Sequence, residues 1–127
     1  KKVKIYKYCM FHCDTSMVKY NKRDGEYQSR ILKNNQLFFT AQFKRNLKNG
    51  IVREYELLDQ CIIYEEYYIN NISNGYEIMY YCHDAIREKV YWIDGFKEGY
   101  EFLYGRNLDI IGVNYYHKNI KTVIMKI

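Results

Sequence analysis

Tyr91-Trp92-Ile93-Asp94-Gly95-Phe96-Lys97-Glu98-Gly99, followed five residues on by Tyr104, is the stretch whose reading decides the fold. It places the second member of an aromatic pair seven residues ahead of a glycine. The same phase recurs at Phe43 before Gly50 and Tyr68 before Gly75. Glycines stand at Gly25, Gly50, Gly75 and Gly99, spaced 25, 25 and 24 residues apart. Tyr55, Tyr80 and Tyr104 follow the last three by five positions, and Arg30 takes that place in the first unit. An aliphatic residue leads each pair: Leu37 before Gln42-Phe43, Ile62 before Tyr67-Tyr68, Ile86 before Tyr91-Trp92, and Ile110 before Tyr115-Tyr116. Agreement of phase across three junctions identifies an internal repeat of about 24–25 residues.

Each unit reads as a β-hairpin. A strand follows the glycine, as in Tyr76 to Tyr81. A polar turn comes next, Cys82 to Ala85, and then a second strand, Ile86 to Ile93. Equivalent turns are read at Lys33 to Gln36, Leu58 to Gln60 and Gly105 to Asn107. The links, Asn46 to Gly50, Asn70 to Gly75 and Asp94 to Gly99, are rich in Gly, Asn and Asp, which supply the positive φ that tight turns demand. Alternation puts Tyr76, Ile78 and Tyr80 on one face with Tyr100, Phe102 and Tyr104, and sends Glu77 and Glu101 to the other. The expected fold is all-β: tandem hairpins in an elongated, twisted antiparallel meander of about ten strands, each unit touching mainly its neighbours. One repeat domain spans 1–127, with a degenerate unit at 1–24 and repeats at 25–49, 50–74, 75–98 and 99–122. In the first unit Val3 to Tyr8 is read as a strand paired with Met17 to Tyr20. Val123 to Met125 is read as an extra strand after the last repeat.

Composition agrees. The chain of 127 residues has 16 Tyr, 6 Phe, 1 Trp and no Pro, and aromatic and β-branched residues favour strands. The net charge of +5 is uneven: residues 1–48 hold 12 Lys/Arg against 3 Asp/Glu, and residues 49–127 hold 8 against 12. Basic and acidic parts point to two faces or two partners. No apolar run is long enough to span a membrane as a helix. Cys9, Cys13, Cys61 and Cys82 are read as reduced thiols of an intracellular, cytoplasmic protein, since no signal sequence precedes them. A start at Lys1, with no clear polar cap at either end, leads to the expectation that more repeats, another subunit or a larger assembly cover the ends.

The stretch from Tyr91 to Gly99 with Tyr104 resembles the MORN repeat (membrane occupation and recognition nexus). The likeness is to the looser variant of bacterial antitoxin-type proteins and of large DNA viruses, and it covers roughly residues 25–121. The period here is longer than the typical 23 residues, and Asn71 stands where Gly95 stands one unit later. The resemblance implies consecutive hairpins in an extended sheet with an aromatic-lined groove. It also implies service in binding, localisation or scaffolding, without catalytic residues of the repeat itself.

No constellation favours catalysis. Ser16, Ser29 and Ser73 lack a nucleophile-elbow context, and alternation sends Glu65 and Glu66 to opposite faces. Cys9, His12 and Cys13 hold potential metal ligands, yet a structural zinc site draws four from two spaced pairs. No metal, cofactor or small-molecule substrate is expected, and the chain is not expected to be an enzyme. The leading expectation is a protein-binding scaffold, because Tyr and Trp bury much area at little entropic cost. The candidate surface is Tyr55, Tyr68, Tyr80, Trp92, Tyr104 and Tyr116. The alternative is nucleic-acid binding by the basic, Tyr-containing first third through Lys4, Lys7, Lys22, Arg23, Lys44 and Arg45. Attachment of that third to an anionic membrane surface is a weaker option.

Overall fold

The computed structural model describes residues 4–8, 25–31 and 34–127, the first of these stretches as backbone. All the described strands lie in one sheet: β1 (Lys4–Tyr8), β2 (Gly25–Ile31), β3 (Leu37–Lys44), β4 (Leu47–Lys48), β5 (Gly50–Tyr55), β6 (Ile62–Ile69), β7 (Ile72–Tyr80), β8 (Ile86–Ile93), β9 (Phe96–Lys97), β10 (Gly99–Tyr104), β11 (Ile110–His117) and β12 (Ile120–Lys126). The described residues form no helix. From β2 onward the strands run as an antiparallel meander in chain order, and the sheet does not close into a barrel. β1 lies parallel to β2 at one edge. Met17 to Tyr20, read from sequence as its partner, lie outside the described residues.

The links explain the meander. Arg45-Asn46, Asn70-Asn71, Asp94-Gly95 and Lys118-Asn119 all have positive φ at both residues. That is the two-residue type I′ pattern, whose twist matches that of the strands it joins. The second link residue also ties each unit to the one before. Asn71 donates its N–H to the Lys48 carbonyl at 2.9 Å and accepts the Lys48 N–H on Oδ1 at 2.6 Å. Asn119 repeats both bonds with Lys97, at 3.1 and 2.7 Å. Gly95, with no side chain, keeps the backbone bond alone, donating to the Ser73 carbonyl at 2.9 Å. At the other end of the sheet, Gln60 clamps both backbone groups of Leu37 in the same way.

The repeat glycines are not turn residues, contrary to the sequence reading. Gly50, Gly75 and Gly99 lie within or at the start of strands with φ of +110°, +125° and +89°. At Gly75 the chain leaves the link and changes register between Glu66 and Tyr68 before pairing with β8. A bulge there needs a backbone that an L side chain resists.

Cross-strand register sorts the side chains into two faces. Val52 pairs with Glu66, Glu66 with Glu77, Glu77 with Val90, and Glu101 with Asn114. This row runs across the sheet and is its most buried feature, with Val90 only 2% exposed, Glu101 3% and Glu66 5%. The opposite face carries Arg53, Glu65, Tyr67, Tyr76, Lys89, Tyr91, Tyr100 and Tyr115. We call the first the acidic face and the second the tyrosine face.

Candidate functional site

On the acidic face, buried carboxylates are held by aromatic hydroxyls. Tyr68 and Ser73 donate to Glu66, the latter at 2.8 Å. The Tyr64 hydroxyl lies 2.8 Å from carboxylate oxygens of both Glu66 and Glu77. Trp92 Nε1 donates to Glu77 at 3.2 Å. Glu101 accepts from Asn114 Nδ2 at 2.7 Å and from Tyr116 at 3.4 Å, with Lys97 Nζ 3.8 Å away. Burial first, and then the bonds to these carboxylates, push the phenols of Tyr64 and Tyr68 well above their ordinary value. The Tyr116 phenol is also raised, by burial and then by the nearby Glu101 charge. Such phenols serve as fixed donors, not acids.

Burial, and then the charge of Glu101 and a hydrogen bond with it, raise the Glu88 carboxyl above its ordinary range. A carboxyl raised on folding contributes stability that is complete below its unfolded value, roughly pH 4 to 4.5, and is lost as pH rises through the folded value. Glu88→Gln is therefore expected to raise the melting temperature at pH 7 and to leave it unchanged near pH 4. An equal effect at both pH values in thermal melts would show that Glu88 does not titrate this way.

The tyrosine face is built differently. Tyr76 and Tyr91 are cross-strand partners with rings edge-to-face at 4.8 Å, and Tyr100 and Tyr115 are likewise at 5.1 Å. Tyr67 stands next to Gly75 at the head of this line. All five are between 36% and 55% exposed. A depression of about 420 Å³ runs between Tyr76, Lys89, Tyr91, Tyr100, Phe102 and Tyr104, with Lys89 Nζ 4.2 Å from the Tyr76 ring centre. On the same face, Arg53 Nε donates to Glu65 at 2.6 Å, and Tyr80 donates to the same carboxylate. That bond first, and then the Glu65 charge, holds the Arg53 guanidinium above its ordinary value. Burial and then the bond to Glu65 raise the Tyr80 phenol.

The six aromatic residues singled out from the sequence do not form one surface. Tyr68, Trp92 and Tyr116 sit on the acidic face, each bonded to a carboxylate. Tyr55, Tyr80 and Tyr104 sit half-buried on the tyrosine face, Tyr55 beside Thr40 at 3.4 Å and Tyr104 at the depression. The exposed line consists instead of the first member of each pair and the residue after the glycine. Alternation held that signal: Tyr67, Tyr91 and Tyr115 must oppose the second members. Of the basic candidates, Lys44 and Arg45 are exposed at the β3–β4 link. Lys22 and Arg23 lie outside the described residues, as do the side chains of Lys4 and Lys7.

The reading of four reduced thiols changes. Cys61 and Cys82, from the turns on either side of β6 and β7, are joined as a disulfide with Cα atoms 5.8 Å apart. This spacing is within the ordinary disulfide range, and the bond ties two neighbouring units. Cys9, His12 and Cys13 lie outside the described residues. Asp59 adjoins the Cys61–Cys82 pair, but sulfurs bonded to each other are not free as thiolate ligands. Among the described residues, no helix is long and apolar enough to cross a membrane. No protein-family model matches the chain, and no curated protein matches it.

Proposed function

We propose that this chain is a non-enzymatic protein-binding or scaffolding module, a MORN-like hairpin array that works within a larger assembly. The observation that supports this reading is the line of exposed tyrosines Tyr67, Tyr76, Tyr91, Tyr100 and Tyr115 across neighbouring strands. Contiguous exposed aromatic surface marks interaction sites on soluble proteins. Tyrosine is favoured there because a rigid ring brings a large contact area together with a polar tip. An intracellular setting belongs to the same proposal.

The test is capture from a native lysate by the full chain and by a Tyr76→Ala/Tyr100→Ala variant. Removing two edge-to-face partners costs roughly 1 kcal/mol each in stability, which leaves a folded protein to compare. A protein retained by the parent and lost from the variant, with or without nuclease treatment, is the expected result. Identical capture by both would remove the tyrosine line from the interface. Retention that disappears on nuclease treatment would move the activity to the basic residues, Lys44 and Arg45 among them.

A further inference from the structure

Two residues before Gly50, Gly75 and Gly99 stand Lys48, Ser73 and Lys97. The two lysines do the same thing. Each lays its ammonium over the second aromatic of the following pair: Lys48 Nζ is 4.5 Å from the Tyr68 ring centre and Lys97 Nζ is 5.0 Å from that of Tyr116. Lys97 also lies 5.6 Å from the Trp92 ring and 3.8 Å from Glu101, the residue two after Gly99.

At the middle unit the surroundings of such an ammonium are present, but the lysine is not. The corresponding ring is Trp92, and the corresponding acid, two after Gly75, is Glu77. The two are bonded to each other at 3.2 Å, as Tyr116 and Glu101 are at 3.4 Å. Tyr68 stands where Trp92 stands for Lys97. A second carboxylate, Glu66, replaces the buried Val90 of the next unit. Ser73 is too short to reach over Trp92, and its hydroxyl donates to Glu66 instead.

Among the described residues, the donors to Glu66 and Glu77 are Tyr64, Tyr68, Ser73 and Trp92, all of them neutral. They give each of the four carboxylate oxygens one hydrogen bond but no positive charge. The single Tyr64 proton faces both carboxylates and serves one at a time. A buried carboxylate such as Glu66, 5% exposed, is ordinarily paired with a cation.

We infer that the place between Tyr68 and Trp92, floored by Glu66 and Glu77, is a binding site for an alkylammonium group, filled by a lysine side chain of a bound polypeptide. Its chemistry is that of the neighbouring units: a cation over an aromatic ring, as at Lys48 and Lys97, with a carboxylate beside it, as Glu101 stands beside Lys97. The site lies on the acidic face, opposite the tyrosine line, and its failure would leave the scaffold reading standing.

Trp92 is the only tryptophan of the chain, so its emission reports the site directly. The full chain is titrated with an alternating Gly/Lys octapeptide, with spermidine and with a Gly/Glu octapeptide. The Gly/Lys peptide is expected to give a saturable change that weakens with salt, and the Gly/Glu peptide none. Ser73→Lys is expected to supply the missing ammonium from within, raising the melting temperature and weakening the peptide response by about tenfold or more. Glu77→Gln keeps an acceptor for Trp92 and removes the charge, and is expected to weaken the response by a similar factor. A Trp92 signal silent to the Gly/Lys peptide overturns the inference. So does an undiminished response in Ser73→Lys, or a response to spermidine alone.

Discussion

Gly75→Val is expected to destabilise the chain by roughly 3 kcal/mol, well beyond the effect of the same change at Gly99. Two costs combine at Gly75. Its φ of +125° is one that a β-branched residue resists. A Cβ there would also lie 3.0 Å from the Cβ of Tyr67. That atom is the root of its side chain and cannot swing away. Gly99 shares a positive φ, yet a Cβ would meet nothing within 4 Å, so only the backbone term remains. Against a total stability of about 5–15 kcal/mol, the Gly75 change consumes a large fraction. Urea unfolding of both variants measures the difference, and equal midpoints would show that the approach of Tyr67 to the β7 bulge is not a constraint.

Val90→Asp is expected to be the most damaging single change on the acidic face, costing about 4 kcal/mol or more. Val90 is 2% exposed, and Glu77 is its cross-strand partner. Glu101 flanks the same row. A carboxylate placed there would be buried among like charges with no cation of its own. Val90→Asn has nearly the same shape and no charge, and is expected to cost roughly 2 kcal/mol less. The comparison isolates charge from packing. If the two variants melt together, the row is not the electrostatic barrier that its geometry implies.

These two positions also show how far the sequence could be read. The glycine spacing points to a repeat, and by itself it places the glycines in turns, because a positive-φ residue is most often found there. The type I′ links lie four or five residues earlier, and the glycine serves a bulge. The opposition of Glu77 to Tyr76 and Ile78 was legible from alternation alone. That Glu66, Glu77, Val90 and Glu101 form one row was not, since it depends on which residues of four strands pair. The candidate aromatic list failed for the same reason. Gly75 pairs with Trp92 and Gly99 with Tyr116, which puts the second members on the face of Glu77 and Glu101, while Tyr80 and Tyr104 stay on the face of Tyr76 and Tyr100. The glycine-plus-five tyrosines and the second members of the pairs share a repeat phase but not a face.

By itself, the sequence determined an all-β chain of antiparallel hairpins and the inward or outward sense of single strands. These follow from local chemistry: two-residue links that accept positive φ, strands that alternate, and β-branched and aromatic residues that resist helix. The tertiary structure alone decided that the carboxylates converge, that five tyrosines line up in the open, that Ser73 stands where its counterparts are lysines over rings, and that Cys61 meets Cys82. Each is a cross-strand relation, set by register and bulges summed over many residues, and a shift of one residue would turn every one of those side chains to the other face.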